Sequence, residues 1–313
     1  MNCLLIGLGN AGFQYDINSK LNTQHSHFTS IINNKKFKNI YLLDKNKKQY
    51  KQIKNFNKEL SQKIIFLDKL PLKINFNLII IATTTSSHFK FLKKIILNKM
   101  TKNIICEKPF TENLKNSNEI LRLSIKNNIR ILINYHRRYL NIFKWIKNFI
   151  LKKKINKIQI YYSKGIYQNA CHFINLIIFM FGKPKNIIVL KRYYNKENNF
   201  VRADFIISYN KFKINCFATS LLNIENNKLV FYYQNGKLIL KNKEINIYIK
   251  KKEKYELKKK NNQLENLLIE NLQNYQYYVL NNFFINRNYK KNLKEAILTD
   301  KILNKIANEK TSY

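Results

Sequence analysis

The sequence is short of the residues that usually punctuate a chain. Only six glycines, three prolines and one tryptophan occur in 313 residues, with 18 acidic side chains against 58 Lys and Arg. Ordinary usage is about 7% Gly and 5% Pro. Collagen-like, Gly/Ser-linker and Pro-rich classes are therefore excluded. The four cysteines (Cys3, Cys106, Cys171 and Cys216) form no CxxC pair and have no metal-ligand spacing. They read as reduced thiols, not as a disulfide framework. No apolar run approaches the ~20 residues that span a bilayer. The longest, Phe173 to Phe181, is interrupted by Asn175. The opening MNCLLIGLGNAG lacks the basic stretch of a signal peptide. The expectation is a cytoplasmic protein that does not insert into membranes.

What is abundant is Lys, Asn and Ile, nearly half of the chain, and the net charge is +40. Such a charge can mark a polyanion binder. These three residues also share the most A/T-rich codons, and the lysines run from one end of the chain to the other. Drift in base composition is the first reading. The sequence shows no helix-turn-helix and no interleaved aromatic platform, so a nucleic-acid partner is not expected despite the charge.

The 45% hydrophobic content is enough for sizeable cores. Up to residue 134, short Ile/Leu-rich runs (Cys3–Ile6, Asn39–Leu43, Lys63–Phe66, Asn77–Ile81, Asn103–Cys106, Ile129–Ile133) alternate with helical spacing such as Ser87–Lys99 and Asn113–Asn127. Strands apolar on both faces and separated by helices predict a doubly wound parallel sheet, a Rossmann domain. After residue 135 come a helix (Tyr139–Lys152), a strand (Ile155–Tyr162) and an apolar helix (Cys171–Phe181). Alternating runs then continue to about Lys258, with a hairpin signal at Asn235-Gly236. Helical spacing returns at Gln263–Phe284 and Leu293–Asn308. The expected organisation is α/β: a dinucleotide-binding domain (1–134), then an α+β domain (135–313) with an open, mainly antiparallel sheet. The C-terminal helix is expected to pack back on the first domain.

The scarce glycines are informative. Gly7, Gly9 and Gly12 spell GLGNAG directly after the first strand, with Asn10 and Ala11 between them. In this pattern the first glycine makes the tight turn and the second lets backbone approach a pyrophosphate. The third lets a helix pack on the sheet, its N-terminus facing the phosphates. Asp44 ends the second strand, where an acid accepts hydrogen bonds from ribose hydroxyls and favours NAD. It lies beyond the usual spacing, so an insertion is expected around Gln14–Gln24. Lys45, Lys47 and Lys48 follow it and leave NADP open. Thr83 and Ser86 lie in the loop after the fourth strand, either as caps of the next helix or facing a ligand. Lys108 stands between Glu107 and Pro109 at the end of the fifth strand. There it could hydrogen-bond a substrate oxygen.

GLGNAG, ATTTSSH, CEKPF, INYHRRY and GIYQNACHFINLIIFMFGKP, in this order, resemble the Gfo/Idh/MocA family of glucose–fructose oxidoreductase and inositol 2-dehydrogenase. The resemblance runs over the full chain. It implies a Rossmann domain, an α/β domain whose open sheet often joins subunits, and thus a homodimer or tetramer. It also implies hydride transfer between NAD(P) and a sugar, polyol or nucleotide-sugar carbon. By position, Gly7, Gly9, Gly12 and Asp44 hold the dinucleotide. Thr83, His88 and Glu107 line the nicotinamide side, and Lys108 is the lysine near the reacting oxygen. His172 matches the histidine at the start of the substrate-domain helix, and Gly182 and Pro184 match the motif that closes it.

There are departures. Thr84 replaces a usual Pro, and Asn175 a common Asp. Gln168, followed by Asn169, stands where many members carry an Asp, which puts the acid/base partner of His172 in doubt. Gln168, Asn169 and Arg138 are substrate-side candidates, since an Arg of the His136–Arg137–Arg138 run could meet a diphosphate. Tyr161, Tyr162 and Tyr167 are packing or sugar-stacking groups. His25 and His27 form an HxH without a third ligand, and no metal site is expected. Two other readings remain: an NAD-using enzyme without net redox change, such as a glycosidase or epimerase, and a catalytically weakened basic binding protein on this scaffold.

Overall fold

Runs of Ile and Leu without polar interruption have no face to offer water, so they pair in the middle of a covered sheet. The computed structural model describes residues 1–17, 23–56, 63–195, 200–219, 227–285 and 288–308. The chain divides into two units, Met1–His136 with Gln273–Ile297 and Arg137–Leu272 with Leu298–Tyr313.

In the first unit six strands, β1 (Asn2–Ile6), β2 (Asn39–Leu43), β3 (Lys63–Leu67), β4 (Leu78–Ile81), β5 (Asn103–Cys106) and β6 (Arg130–Ile133), lie in the order β3-β2-β1-β4-β5-β6. All pairings are parallel. This is the doubly wound order, which reverses direction between β1 and β4. Ile6 pairs with both Leu43 and Ile81, so the loops after β1, β2 and β4 leave the sheet at one level. All four residues of β4 are fully buried.

The helices of this unit are α1 (His27–Ile32), α2 (Lys48–Phe56), α3 (Thr85–Leu97) and α4 (Leu114–Lys126). On α3, His88, Leu92, Ile95 and Ile96 are buried at helical spacing. Asn113 caps α4, its side chain accepting from the Asn116 amide at 2.9 Å. The stretch expected as one helix from Gln263 is broken at Asn274 into α7 (Asn262–Gln273) and α8 (Tyr275–Ile285). Arg130 of β6 holds α8, its guanidinium lying over the Phe283 ring and donating to the Phe283 carbonyl.

The glycine loop departs from expectation. No α-helix follows it directly; turns at residues 9–13 lead to a 3₁₀ turn, Gln14–Asp16, and α1 begins only at His27. The expected insertion lies here, with residues 18–22 outside the described ones. It is tied off by the buried Asp16 carboxylate, which accepts from Thr23 Oγ1 (2.8 Å) and from the amides of His25 (3.0 Å) and Ser26 (2.7 Å). The start of α1 is docked on the loop: His27 and Phe28 amides donate to the carbonyls of Ala11 and Gly12, both at 2.9 Å.

The second unit is built on an eight-stranded sheet. Its strands are β7 (Ile155–Tyr162), β8 (Asn186–Asn195), β9 (Phe200–Ser208), β10 (Lys213–Ala218), β11 (Lys228–Tyr233), β12 (Gly236–Lys241), β13 (Glu244–Lys251) and β14 (Lys254–Lys260). The order is β14-β13-β12-β11-β7-β10-β9-β8, antiparallel except for the β7–β10 pair. Ile158, Ile160 and Tyr162 alternate on β7 with the more exposed Lys157, Gln159 and Tyr161. One face is therefore a core and the other is wet.

The buried side packs with α5 (Asn141–Leu151), whose Phe149 meets Tyr233 edge-on at 6.0 Å, and with α6 (Cys171–Phe181). Asn175 of α6 donates to Thr299 Oγ1 (2.9 Å) in α9 (Tyr289–Asn308). The hairpin signalled by Asn235-Gly236 joins β11 and β12, but the turn residues are Gln234 and Asn235. Gly236 is already in β12, where a Cβ would run into the Tyr248 carbonyl. No described helix is long and apolar enough to cross a membrane.

Candidate functional site

At the switch point between β1 and β4 the backbone is packed to the limit. Gly7 takes φ +93°, and a Cβ there would lie 2.6 Å from the Ala82 carbonyl oxygen at the end of β4. A Cβ on Gly12 would collide with the Gly7 carbonyl, so these glycines hold the loop closed on itself. Gly9 is different: nothing lies within 4 Å of where its Cβ would be. That position opens outward, as close approach of a ligand to the backbone requires.

Among the described residues, the amides of Gly9, Asn10, Ala11 and Gly12 have no acceptor in the protein, while the Leu8 and Phe13 amides on either side are bonded. Four consecutive unpaired N–H groups make an anion-binding concavity. They stand where a helix N-terminus was expected from sequence. The residues fit the diphosphate of a dinucleotide.

Asp44 sits beside this loop. Its carboxylate accepts from the Leu8 amide (2.5 Å) and the Asn46 amide (2.6 Å), joining the glycine loop to the end of β2. Two amide bonds leave acceptor capacity on both oxygens for hydroxyl donors. Of the lysines that follow, Lys47 is paired with Asp68 at 2.7 Å.

The end of β5 carries a buried hydrogen-bonded group that sequence reasoning missed. The Glu107 side chain is only 13% exposed. It meets His27 Nε2 at 2.9 Å and accepts from Asn134 Nδ2 at 2.5 Å, and the Lys108 amide approaches its other oxygen at 3.4 Å. Asn134 Nδ2 also donates to Gln276 Oε1 at 3.0 Å. Burial opposes ionisation of Glu107. The His27 hydrogen bond and charge, the Asn134 bond and the Lys108 charge outweigh it, and hold the carboxyl down at about 2.

The HxH thus divides: His27 faces Glu107, and His25 stacks on Tyr275 at 5.4 Å. Tyr275 also stacks with His136, at 4.6 Å. Burial, then the charges of Glu107, Tyr15 and Asp16, push the Tyr275 phenol well up. The sequence signal for this group is the HxH spacing, from which no metal site is expected and which points to no partner for either histidine.

His88 is fully buried, and its ring nitrogens face the carbonyls of Pro109 (3.0 Å), Phe110 (3.2 Å) and Thr83 (3.0 Å). It was expected to line the nicotinamide side. The geometry makes it a tie between the loop after β4 and the turn after β5, its nitrogens taken up by backbone. Thr83 is half-buried, its hydroxyl accepting from Ser87 Oγ at 2.6 Å. Neither Thr83 nor Ser86 is the N-cap of α3; that residue is Thr84, whose side chain makes no capping bond. Lys108 is half-buried and precedes Pro109 through a cis peptide bond.

In the second unit, His172 is in the first turn of α6 and 7% exposed. Gln168 folds back on Gly165, where a Cβ would strike its side-chain oxygen. Asn169 Nδ2 donates to Asn227 Oδ1 (2.8 Å), Ser163 O (3.2 Å) and Ser163 Oγ (3.3 Å). Its Oδ1 accepts from Arg137 Nη2 at 3.1 Å.

Arg138, offered by sequence as a substrate contact, is 5% exposed, donates to Asn175 Oδ1 at 3.3 Å and lies over the Phe179 ring. The structure gives it an interior packing role. Tyr162 is also interior, its hydroxyl donating to the Ala203 carbonyl at 2.6 Å, and Tyr167 bonds Asn304 at 3.0 Å. Tyr161 stacks on Phe217 on the wet face of the sheet.

A parallel 3-2-1-4-5-6 sheet with an amide cradle and an acid at the switch point defines an NAD-binding Rossmann domain. Residues 1–135 match the model described as the oxidoreductase family, NAD-binding Rossmann fold, of Gfo/Idh/MocA proteins. The chain is 23% identical over 258 residues to "uncharacterized oxidoreductase YhhX" of Escherichia coli strain K12, covering 76% of this chain and 71% of that one.

Two solved structures share the fold over nearly the whole length. UDP-N-acetylglucosamine 3-dehydrogenase GnnA from Acidithiobacillus ferrooxidans has a TM-score of 0.69 at 11% identity, covering 98% of this chain and 96% of that one. An oxidoreductase from Agrobacterium radiobacter, solved with NAD+, L-tartaric acid and magnesium, has a TM-score of 0.68 at 13% identity, covering 99% and 97%. Residues 1–135 are thus similar to the NAD-binding Rossmann domain of the Gfo/Idh/MocA oxidoreductase family.

Proposed function

We propose that this oxidoreductase moves a hydride between NAD and a carbon bearing a hydroxyl or keto group on a sugar, polyol or nucleotide-sugar. The observation that carries the reading is the run of four unpaired amides at the switch point, with Gly9 open to the outside; Lys108 follows β5 of the same sheet. The relative that acts on UDP-N-acetylglucosamine supports the substrate class.

Gly9, Asn10, Ala11 and Gly12 hold the diphosphate through their amides, and the remaining lone pairs of Asp44 take the ribose hydroxyls. Bound NAD supplies the hydride acceptor or donor. Lys108 donates a hydrogen bond to the reacting oxygen and favours negative charge developing there. Glu107 does not contact substrate; anchored by His27 and Asn134, it fixes the backbone from which Lys108 projects. His172 takes up or returns the hydroxyl proton, the general acid–base role for which imidazole suits neutral pH. The protein works in the cytoplasm as a homodimer or tetramer.

The test is Lys108→Met, assayed on a panel of sugars and nucleotide-sugars by nicotinamide absorbance. NAD+ affinity should stay within about twofold while turnover falls ~10²–10⁴-fold. Turnover at the wild-type rate would refute the assignment. Product formed without net NADH would favour the glycosidase or epimerase reading.

A further inference from the structure

The second unit contains a cation that its own residues do not balance. Arg137 is half-buried, and its Nη1 is shut off from solvent with no hydrogen-bond acceptor in the protein. Nη2 donates to Asn169 Oδ1 at 3.1 Å, and the guanidinium carbon lies 3.8 Å from the centroid of the Phe173 ring. Among the described residues no Asp or Glu pairs with it. Burial lowers the Arg137 guanidinium to about 10, and the only opposing influence is the Cys171 thiol. Buried guanidinium groups are ordinarily matched by carboxylates that satisfy the fork.

The neighbours hold the guanidinium in place and leave Nη1 without an acceptor. Asn169 is locked from behind by Ser163 and Asn227, so its oxygen is presented to Arg137 and cannot swing away. Phe173, one turn along α6, stacks under the guanidinium plane and fixes its orientation. With Nη2 taken by Asn169 and the plane against Phe173, Nη1 is left as a buried donor for which the described residues supply no acceptor. His172 sits between Asn169 and Phe173 in sequence, so this unmatched donor lies against the segment proposed to handle the substrate proton.

We propose that Arg137 binds an oxyanion carried by the substrate, a carboxylate or a phosphate, so that the enzyme selects a sugar acid or a nucleotide-sugar over a neutral sugar or polyol. This rests on the oxidoreductase reading and narrows its substrate class. The role passes from Arg138, which the structure packs inside, to its neighbour.

The experiment is titration calorimetry on the full chain saturated with NAD+, using two pairs of probes that differ in the anion: glucuronate against glucose, and UDP against uridine. The anionic member of one pair should bind about 10- to 100-fold more tightly than its neutral partner. The discriminating pair identifies the anion as carboxylate or phosphate. Arg137→Gln should erase that ratio with NAD+ affinity unchanged. Arg137→Lys should keep part of it, since an ammonium retains the charge but lacks the fork. If Arg137→Gln does not fold, the wild-type pairs and Arg137→Lys decide.

A wild type that discriminates neither pair, or an Arg137→Gln variant that keeps the preference, overturns the inference. So does an Arg137→Lys variant with the full wild-type ratio. Failure of NAD+ itself to bind would instead remove the oxidoreductase reading, and so separates the two.

Discussion

Replacing Glu107 by Gln keeps the side chain's shape and removes its charge. The wild-type carboxyl falls from 4.5 to about 2 on folding, and its side chain is only 13% exposed. At ~1.4 kcal/mol per pH unit, the ionised group contributes about 3 kcal/mol to stability at neutral pH. The sign follows from the depressed value. The contribution is complete above the unfolded carboxyl's range near 4.5 and drains away as pH falls through about 2. At pH 3 roughly half or less of it should remain.

Glu107→Gln should therefore lower Tm at pH 7 by about 6–12 °C, taking about 2–4 °C per kcal/mol for a unit of this size. The gap between wild type and variant should roughly halve by pH 3. Taking the difference between the two proteins cancels the general acid destabilisation of a chain with charge +40. Thermal unfolding followed by circular dichroism across pH 3–7 is sufficient. A gap of the same size at pH 3 and pH 7 would show that the loss is steric, and that the His27–Glu107–Asn134 group stores no charge-dependent stability.

The two ends of the glycine loop should respond in opposite ways to one methyl group. Gly9→Ala should fold with wild-type Tm, since its Cβ meets nothing, yet bind NAD+ at least about tenfold more weakly; wild-type affinity would rule out the cradle. Gly12→Ala should lose stability as well, because its Cβ meets the Gly7 carbonyl. For the charge, raising salt from 0.01 M to 0.15 M shortens the screening length from about 30 to about 8 Å, so Tm should rise. A fall would mean that ion pairs such as Lys93–Glu119 and Lys251–Glu256 outweigh the general repulsion.

The sheet of the first unit was legible almost to the residue, because strands buried on both faces leave uninterrupted Ile/Leu runs. The expected Cys3–Ile6 and Asn103–Cys106 correspond to β1 and β5 within a residue. The glycine loop was legible because glycine is so scarce that position carries information. The missing helix after it was not. Residues 13–16 have no periodicity to mark a 3₁₀ turn, and Asp16 acts through Thr23, His25 and Ser26, which are linked to it only by folding. The Glu107 group escaped for the same reason: His27, Asn134 and Gln276 come from three distant segments. Gly236 was read as a turn residue, whereas its smallness serves the neighbouring strand β13.

The charge shows the same division between what is local and what pairing creates. The sequence contains no long run in which aromatic and basic residues alternate, but the sheet register assembles such pairs across strands. Lys157 lies over Tyr232 (4.9 Å), and Lys237 over Tyr248 (4.7 Å) and Tyr255 (4.3 Å). These ammonium groups keep contact with water while their stems cover ring faces, so they are satisfied without a partner. A surface built this way tolerates many lysines at little cost, and it covers ring faces on which a base would otherwise stack. Arg137 differs in kind. Its Nη1 has lost water, and the described chain supplies neither acceptor nor acid. Arg137 is therefore picked out by the desolvation of its guanidinium and not by the sum of the charges.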